Sequence, residues 1–190
     1  MVGPSITDAY NLAGVIALLS EFGLSPEQLR ASIEKLQIVQ SRYKEETIGG
    51  KQVILSAAKG QNPIACSRVF DMIRRHEGRK AVVLMVDDLG DARETSENIS
   101  WLYDTDFEFL KDDSIVQIVC SGVRNADYRV RLLVAGVEPS RITCVAHESE
   151  AADAIRTEDT DTIFLLYDVY TVSCARGAEA GLRSRLEKEA

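Results

Sequence analysis

The chain has 190 residues, of which 45% are hydrophobic and 27% charged, and a formal net charge of −8. These values are typical of one globular domain, or one domain with a small appendage, that buries its core without disulfides or metal ions. The acidic balance and the absence of a clustered basic stripe argue against nucleic-acid binding, and no apolar run is long enough to span a bilayer.

The first residues lack the basic and apolar segments of a signal peptide, so we expect a cytoplasmic protein without membrane insertion. Four widely spaced cysteines lie in apolar surroundings, without a C-x-x-C pair: Cys66, Cys120, Cys144 and Cys174. We interpret them as reduced thiols that pack as small core residues, and we predict no metal site.

The N-terminal part predicts two helices. Thr7 or Asp8 can cap a first helix, in which apolar residues recur at helical spacing from Leu12 to Phe22, and Gly23 ends it. A second helix opens at Ser25–Gln28, where serine at the cap, proline at the first position and glutamine three residues on form a start signal.

The rest of the chain alternates between strands and helices. Gly49-Gly50 predicts the turn of a hairpin between Glu45–Ile48 and Lys51–Leu55. Further elements follow in chain order: an apolar run ending at 53–57, a helix at 63–76, a strand at 81–86, a strand at 115–120, a helix at 125–135, a strand at 141–146, a helix at 148–156, a strand at 162–166 and a helix at 172–188.

Apolar strands that alternate with helices are typical of a parallel sheet covered on both faces. The sequence therefore predicts an α/β fold with a Rossmann-like, mostly parallel sheet, an antiparallel edge hairpin and N-terminal helices. We expect a helical N-terminal segment over 1–40 and the α/β part over 41–190.

Polar residues follow several predicted strands, so they are expected at one rim of the sheet: Asp87, Asp88, Ser121, Gly122 and His147. Such loops need polar residues anyway, so each of these residues has an equally weighted explanation without function. His147 is a possible base or metal ligand, although a lone histidine after a strand is more often structural. The chain has no phosphate-binding loop, dinucleotide fingerprint or nucleophile elbow, so we expect it to complete an active site that belongs to another protein.

The segment Ile99–Phe109 holds the single tryptophan and sets Asp104 and Asp106 between bulky aromatic residues. Rings beside a carboxylate can desolvate it or fix its orientation. Residue chemistry alone favours another interpretation, in which Trp101 and Phe107 pack into a core below a surface turn.

This segment resembles the S-W-[IL]-[WY]-D-x-[DN]-F-E signature of the C-terminal domain of MurT, the Mur-ligase-like subunit of the enzyme that amidates the peptidoglycan precursor lipid II. Other elements are similar to the family in the same order: Tyr10–Gly14, Leu55–Pro63, Ser121–Asp127, Val130–Leu132, Ala135–Val137 and Tyr170-Thr171. The resemblance covers nearly the whole chain.

The sequence also departs from the family pattern. Gly60 and Gln61 are inserted before Asn62, the stretch Ala92–Asn98 is longer, and Asn98 replaces an aspartate. The N-terminal and central domains of MurT, with their ATP-binding loop and zinc-binding cysteines, have no counterpart, so we expect either an excised domain or a short gene product.

The resemblance implies roles for particular residues. In the family, MurT uses ATP and Mg²⁺ to activate the D-glutamate α-carboxyl of lipid II, and the glutaminase GatD supplies ammonia through a cysteine–histidine pair. An aspartate of the MurT C-terminal domain is implied to orient that histidine, and Asp104 is the first candidate for this catalytic role, with Asp106 second.

The resemblance implies further roles at a partner interface and at a substrate site. Trp101, Tyr103 and Phe107 would line the interface with a GatD-like partner, because aromatic residues often anchor interfaces. Asn62 and Arg124 are candidates for the ATP- or substrate-facing side. A helix-start ion pair with Asp127 is an equally weighted explanation for Arg124.

Three functional hypotheses remain open from the sequence. The chain is a MurT-type domain that completes a glutaminase, an ordinary Mur ligase C-terminal domain that closes over substrates, or an interaction domain without chemistry. No cofactor binding and no ATP turnover are expected for the domain alone.

Overall fold

The computed structural model describes residues 6–35, 43–58, 60–86 and 99–189. The chain divides into two compact units, residues 1–40 and residues 41–190. The first unit holds helix α1 (Ile6–Glu21) and helix α2 (Pro26–Lys35).

The predicted end of the first helix and the predicted start of the second are confirmed at the junction between them. Gly23 follows α1 with φ +86°, in the left-handed region. The N–H of Gln28 donates to the Ser25 hydroxyl at 3.3 Å, and the N–H of Ser25 donates to the Gln28 side-chain carbonyl at 2.9 Å. This reciprocal pair is a capping box.

The predicted start of the first helix is wrong. Helix α1 begins at Ile6, so Thr7 and Asp8 lie inside the helix and neither is its N-cap. The apolar spacing begins only at Leu12, and it therefore does not define where the first turn starts.

The second unit contains six strands and five helices within its described residues. The strands are β1 (Tyr43–Ile48), β2 (Lys51–Ala57), β3 (Lys80–Met85), β4 (Ile115–Ser121), β5 (Ile142–Val145) and β6 (Thr162–Tyr167). The helices are α3 (Pro63–Arg75), α4 (Trp101–Asp104), α5 (Asn125–Val134), α6 (Ala151–Ala154) and α7 (Val172–Glu189). Short 3₁₀ helices span Phe107–Lys111, Pro139–Arg141 and Glu148–Glu150.

The strands form one sheet in the order β1-β2-β6-β3-β4-β5. Strand β1 is antiparallel to β2, and all other neighbours are parallel. Every residue of the central strands β3 and β6 is buried, as expected for a sheet covered on both faces. The prediction of a Rossmann-like, mostly parallel sheet with an antiparallel edge hairpin is confirmed.

Alternate residues along the strands enter two separate hydrophobic clusters, one on each face of the sheet. Helices α3, α4 and α5 contribute to the first cluster, which includes Phe70, Trp101, Phe107, Tyr128 and Leu132. Helices α6 and α7 contribute to the second, which includes Ala151, Ile155, Ala178, Leu182 and Leu186. The segment that holds Asp104 and Asp106 therefore belongs to the first face.

The helix predicted at 148–156 is shorter than expected. A 3₁₀ turn precedes α6, which ends at Ala154. The side chain of Gln117 donates to the carbonyl of Ala154 at 2.9 Å and accepts from the N–H of Arg156 at 2.8 Å. Because the Gln117 side chain of strand β4 forms hydrogen bonds with these backbone groups, the helix does not continue.

The cysteines follow the predicted pattern in part. Cys66 and Cys120 are buried and all four thiols are free, but Cys144 is exposed on the edge strand β5. Cys144 is paired in register with Cys120 of β4. A hydrogen bond from the Cys120 thiol lowers the pKa of Cys144 to about 7, so this thiol is not an inert core residue.

In the described part of the chain, no helix combines the length and the hydropathy needed to cross a bilayer. The longest of these helices, α7, spans 18 residues, and its sequence includes several charged side chains.

The Gly49-Gly50 turn gives a test of the fold. Both glycines have positive φ, but a Cβ at Gly49 would lie 2.6 Å from the carbonyl oxygen of Leu186, whereas a Cβ at Gly50 would meet open space. Gly50→Ala should cost about 1 kcal/mol for left-handed backbone alone. Gly49→Ala should cost roughly 1–3 kcal/mol more from overpacking. Urea unfolding of both variants measures the difference, and equal losses would contradict the close contact between the hairpin and α7.

Candidate functional site

The segment from α4 through the following 3₁₀ helix packs against helix α3. The ring of Phe107 meets the ring of Phe70 edge-on, with 5.1 Å between centroids. The guanidinium carbon of Arg74 lies 4.4 Å from the centroid of the Phe109 ring. These aromatic contacts fix the segment along one side of α3.

Burial separates the side chains of this segment into two sets. Trp101 is 9% exposed and Phe107 is 0% exposed, and both belong to the core cluster. Tyr103 is 57% exposed, and Asp104 and Asp106 are also exposed. The interpretation of Trp101 and Phe107 as packing residues is confirmed.

This burial also limits the interface that the sequence suggested. A ring without solvent exposure cannot contact a partner in this conformation, so Phe107 supports the surface from below and does not line it. Trp101 has only a small exposed fraction. Of the three predicted aromatic contacts, Tyr103 alone presents most of its ring to solvent.

Asp104 and Asp106 share a cleft of about 370 Å³ beside helix α3. The other residues of the cleft are mostly charged or apolar side chains of α3: Ile64, Ser67, Arg68, Asp71, Arg74 and Arg75, together with Phe109. Exposed Ile64, at 67%, gives the cleft an apolar rim. The two predicted catalytic residues thus line the same open space.

The arginines of the cleft are partly neutralised by Asp71. Its carboxylate contacts Arg74 at 2.6 Å and Arg75 at 2.9 Å. The hydrogen bond from Arg74, and to a smaller extent that from Arg75, lowers the pKa of the Asp71 carboxyl. In the part of the chain that the structure describes, the carboxylates of Asp104 and Asp106 have neither a hydrogen-bond nor an ion-pair partner. They remain available to an external donor.

Three side chains hold the backbone around these carboxylates. The N–H of Asp106 donates to the Ser67 hydroxyl at 2.9 Å, and the Thr105 hydroxyl donates to the carbonyl of Trp101 at 2.7 Å. Arg131 of helix α5 donates to the carbonyls of Leu102 and Thr105, both at 2.9 Å.

Sequence reasoning did not identify Ser67, Thr105 or Arg131 as functional. A signal for Arg131 does exist in the sequence. It stands three residues after Tyr128 and one before Leu132, which places it on the apolar face of the helix. An arginine at such a position needs a specific set of acceptors.

Asn62 is the N-cap of helix α3. Its side-chain oxygen accepts from the N–H of Ala65 at 3.0 Å, and Pro63 occupies the first helical turn. Gly60 lies against the end of β3, because a Cβ there would clash with the carbonyl oxygen of Val86. Asn62 therefore stands at the carboxyl edge of the sheet, and it does not line the cleft of Asp104.

Arg124 also stands at the carboxyl edge, at the start of helix α5. Its guanidinium lies 3.6 Å from the Asp127 carboxylate, which is the ion pair that the sequence allowed. Like Asn62, it is not part of the cleft lining. The candidate residues therefore form two groups, one in the cleft beside α3 and one at the strand ends.

The predicted rim is only partly described. The Ser121 hydroxyl is buried and donates to the carbonyl of Leu84 at 3.0 Å, so it links two strands. His147 is exposed, and its backbone N–H donates to the Glu150 carboxylate at 3.2 Å as part of a helix cap. Asp87 and Asp88 lie outside the described residues. Within residues 6–35, 43–58, 60–86 and 99–189, no group of three or more potential metal ligands occurs.

The fold matches solved Mur ligases. The chain is similar to MurC of Thermotoga maritima with a TM-score of 0.68 and 14% identity, over 98% of this chain and 39% of that one. It is similar to MurF of Acinetobacter baumannii with a TM-score of 0.62 and 17% identity, over 95% of this chain and 38% of that one. The architecture is therefore that of a Mur ligase C-terminal domain.

Residues 60–172 match the family described as MurT ligase C-terminal, and the chain belongs to that family. The chain resembles the MurT subunit of lipid II isoglutaminyl synthase (glutamine-hydrolyzing) of Staphylococcus aureus, with 30% identity over 132 residues. The corresponding subunit of Streptococcus pneumoniae is 26% identical over 158 residues.

These alignments cover 69% and 83% of this chain but only 29% and 34% of the two relatives. The chain thus spans about a third of the length of the curated relatives that it matches.

The capping role of Asn62 can be tested on stability. Asn62→Ala should lower the free energy of unfolding by about 1 kcal/mol, because the N–H of Ala65 loses its acceptor. Asn62→Asp should retain the cap and the stability, since aspartate is an equally good N-cap and favours the helix dipole. Denaturant unfolding of both variants is the measurement, and an Ala variant as stable as the Asp variant would contradict the cap.

Proposed function

We propose that the chain acts as the C-terminal domain of the MurT subunit in a glutamine-hydrolysing lipid II isoglutaminyl synthase. In this function the complete enzyme uses ATP and Mg²⁺ to amidate the D-glutamate α-carboxyl of lipid II. A GatD-like glutaminase subunit supplies the ammonia, and this domain completes the glutaminase site. The relatives are subunits of a glutamine-hydrolysing enzyme, which supports this assignment.

The observation that carries the proposal is the exposed carboxylate of Asp104 in the cleft beside α3. A carboxylate that accepts the Nδ1–H of a histidine fixes its tautomer and stabilises the imidazolium formed during nucleophilic catalysis. Asp104 would supply this carboxylate to the histidine of the partner's cysteine–histidine pair. Because Arg74 and Arg75 are already engaged by Asp71, the Asp104 carboxylate needs no internal ion pair to be broken first.

The surroundings of Asp104 suit contact with another protein. Ile64 is large and exposed and lines the cleft. Tyr103, the residue before Asp104 in the chain, is also large and exposed, and tyrosine is a frequent anchor in interfaces. Arg68 and Arg75 add charged groups at the border of this surface. We propose Tyr103 as the principal aromatic contact, with Trp101 and Phe107 holding the surface from inside.

Binding of ATP is a separate proposal that involves the strand ends. One of the similar structures, MurF of Thermotoga maritima, was solved in complex with ADP, with a TM-score of 0.59 and 16% identity, over 96% of this chain and 39% of that one. Arg124 has a guanidinium at the carboxyl edge of the sheet, where such folds bind ligands. A phosphate there would compete with the Asp127 carboxylate, which lies 3.6 Å from the guanidinium. Asn62 would offer its amide N–H₂ group, since its oxygen caps α3.

The proposal is tested by glutamine hydrolysis in the complex of the complete subunit with its glutaminase. Asp104→Asn should lower kcat by roughly 10²- to 10⁴-fold, because an amide cannot stabilise the imidazolium. Asp106→Asn is the matched control, since this carboxylate is exposed in the same cleft two residues away. Affinity between the subunits, measured by calorimetry, should stay unchanged in both variants.

Three outcomes would contradict the assignment. A loss with Asp106→Asn and none with Asp104→Asn would transfer the orienting role to Asp106. Full hydrolysis with both variants, or no association with any glutaminase, would leave an ordinary Mur ligase closing domain or an interaction domain without chemistry.

A further inference from the structure

A buried arginine lies directly beneath the segment that carries Asp104. The side chain of Arg131 is 5% exposed, although its guanidinium is charged. Its Nε donates to the carbonyl of Leu102, and one Nη donates to the carbonyl of Thr105 and to both carboxylate oxygens of Glu108, all at 2.9 Å. Burial of a charge is costly unless it is paired and hydrogen-bonded, so this set of acceptors is what keeps the arginine in the core.

The acceptors of Arg131 flank the carboxylate on both sides along the chain. Leu102 lies two residues before Asp104 and Thr105 lies one residue after it. Helix α4 has only four residues, and the last carbonyls of a helix have no partner within the helix. The guanidinium supplies that partner, and it thereby fixes where α4 ends and in which direction Asp104 leaves the backbone.

Two further contacts lock the guanidinium to the segment. Its central carbon lies 5.2 Å from the centroid of the Phe107 ring, and Phe107 is itself fully buried. The hydrogen bond from Arg131 lowers the pKa of the Glu108 carboxyl, which therefore stays charged and paired at neutral pH. One planar group thus joins four residues from position 102 to position 108.

We propose that Arg131 is a positioning residue for glutamine hydrolysis. It holds the backbone of 102–107 so that the Asp104 carboxylate projects into the cleft at the angle that the partner's histidine requires. This inference rests on the proposed function for its catalytic consequence. Its structural part, the immobilisation of 102–107, stands on the contacts of Arg131 alone.

The substitution Arg131→Lys distinguishes a positioning role of the guanidinium from an effect of its positive charge. An ammonium group keeps the positive charge but offers its donors from one point, so it cannot reach Leu102, Thr105 and Glu108 together. Arg141 gives a matched control, because it too donates to three backbone carbonyls, those of Lys111, Asp112 and Ile115. Arg141→Lys therefore removes similar bonds from the same unit without touching the carbonyls around Asp104.

The first readout is amide hydrogen exchange of the purified chain. Arg131→Lys should accelerate exchange across 102–107 by at least about 10-fold, because local opening no longer breaks the guanidinium bonds. The strands β3 and β4 should keep their protection, which shows that the variant is folded. Arg141→Lys should leave 102–107 unchanged.

The second readout is kinetic, in the complex of the complete subunit with its glutaminase. Arg131→Lys should lower kcat for glutamine at least about 10-fold with KM nearly unchanged, since a misplaced orienting group costs rate rather than substrate affinity. In the double variant with Asp104→Asn, kcat should equal that of Asp104→Asn alone, because Arg131 acts through Asp104. Arg141→Lys should keep the wild-type kcat.

The possible results decide the inference. Additive losses in the double variant, or wild-type kcat for Arg131→Lys, would overturn the positioning role. If Asp104→Asn has no effect, the proposed function fails, and hydrogen exchange alone then tests the structural part of the inference. Faster exchange at 102–107 in Arg131→Lys would show that Arg131 anchors this segment. Unchanged exchange would show that it does not.

Discussion

The segment between Trp101 and Phe107 is too short to hold its own shape, so the core must hold it. Four residues of helix and one 3₁₀ turn provide few internal hydrogen bonds. Two buried aromatic rings and the buried guanidinium of Arg131 supply the missing constraint. Asp104 points outward because the neighbouring rings of the segment are buried in the core on its opposite side.

The electrostatics of the cleft follow from the same packing. Asp71 lies on α3 one turn before Arg74 and Arg75 and forms ion pairs with both of them. Ser67, one turn earlier, accepts the backbone N–H of Asp106. Helix α3 therefore contributes partly neutralised arginines and a hydroxyl that binds the backbone, while the carboxylates of Asp104 and Asp106 keep their acceptor capacity for another molecule.

Much of the fold was predictable because local signals agreed with the global arrangement. The Gly49-Gly50 turn, the apolar strands and the Ser25 cap each depend on residues close in sequence, and each is confirmed. Helix α6 was predicted too long because its end depends on Gln117, more than 30 residues away. The strand order also depends on such long-range pairing, in which β6 lies between β2 and β3.

The site was predictable only in part, for a related reason. The pattern of aromatic residues and acids in 101–107 located the segment, but it left two interpretations of Trp101 and Phe107 open, as core residues or as interface residues. Phe107 packs against Phe70 of a different helix, and this contact is invisible in the local sequence. Arg131 was missed because two of its acceptors are backbone carbonyls, which every residue has.

A structure of the complete subunit bound to its glutaminase tests the central claim most directly. If Asp104 completes that site, one of its carboxylate oxygens will lie about 2.6–3.2 Å from the Nδ1 of the partner's histidine, within hydrogen-bond reach. The Arg131 contacts to Leu102 and Thr105 will be unchanged. An Asp104 carboxylate that faces solvent in the complex, or a partner that binds away from the cleft, would contradict the account.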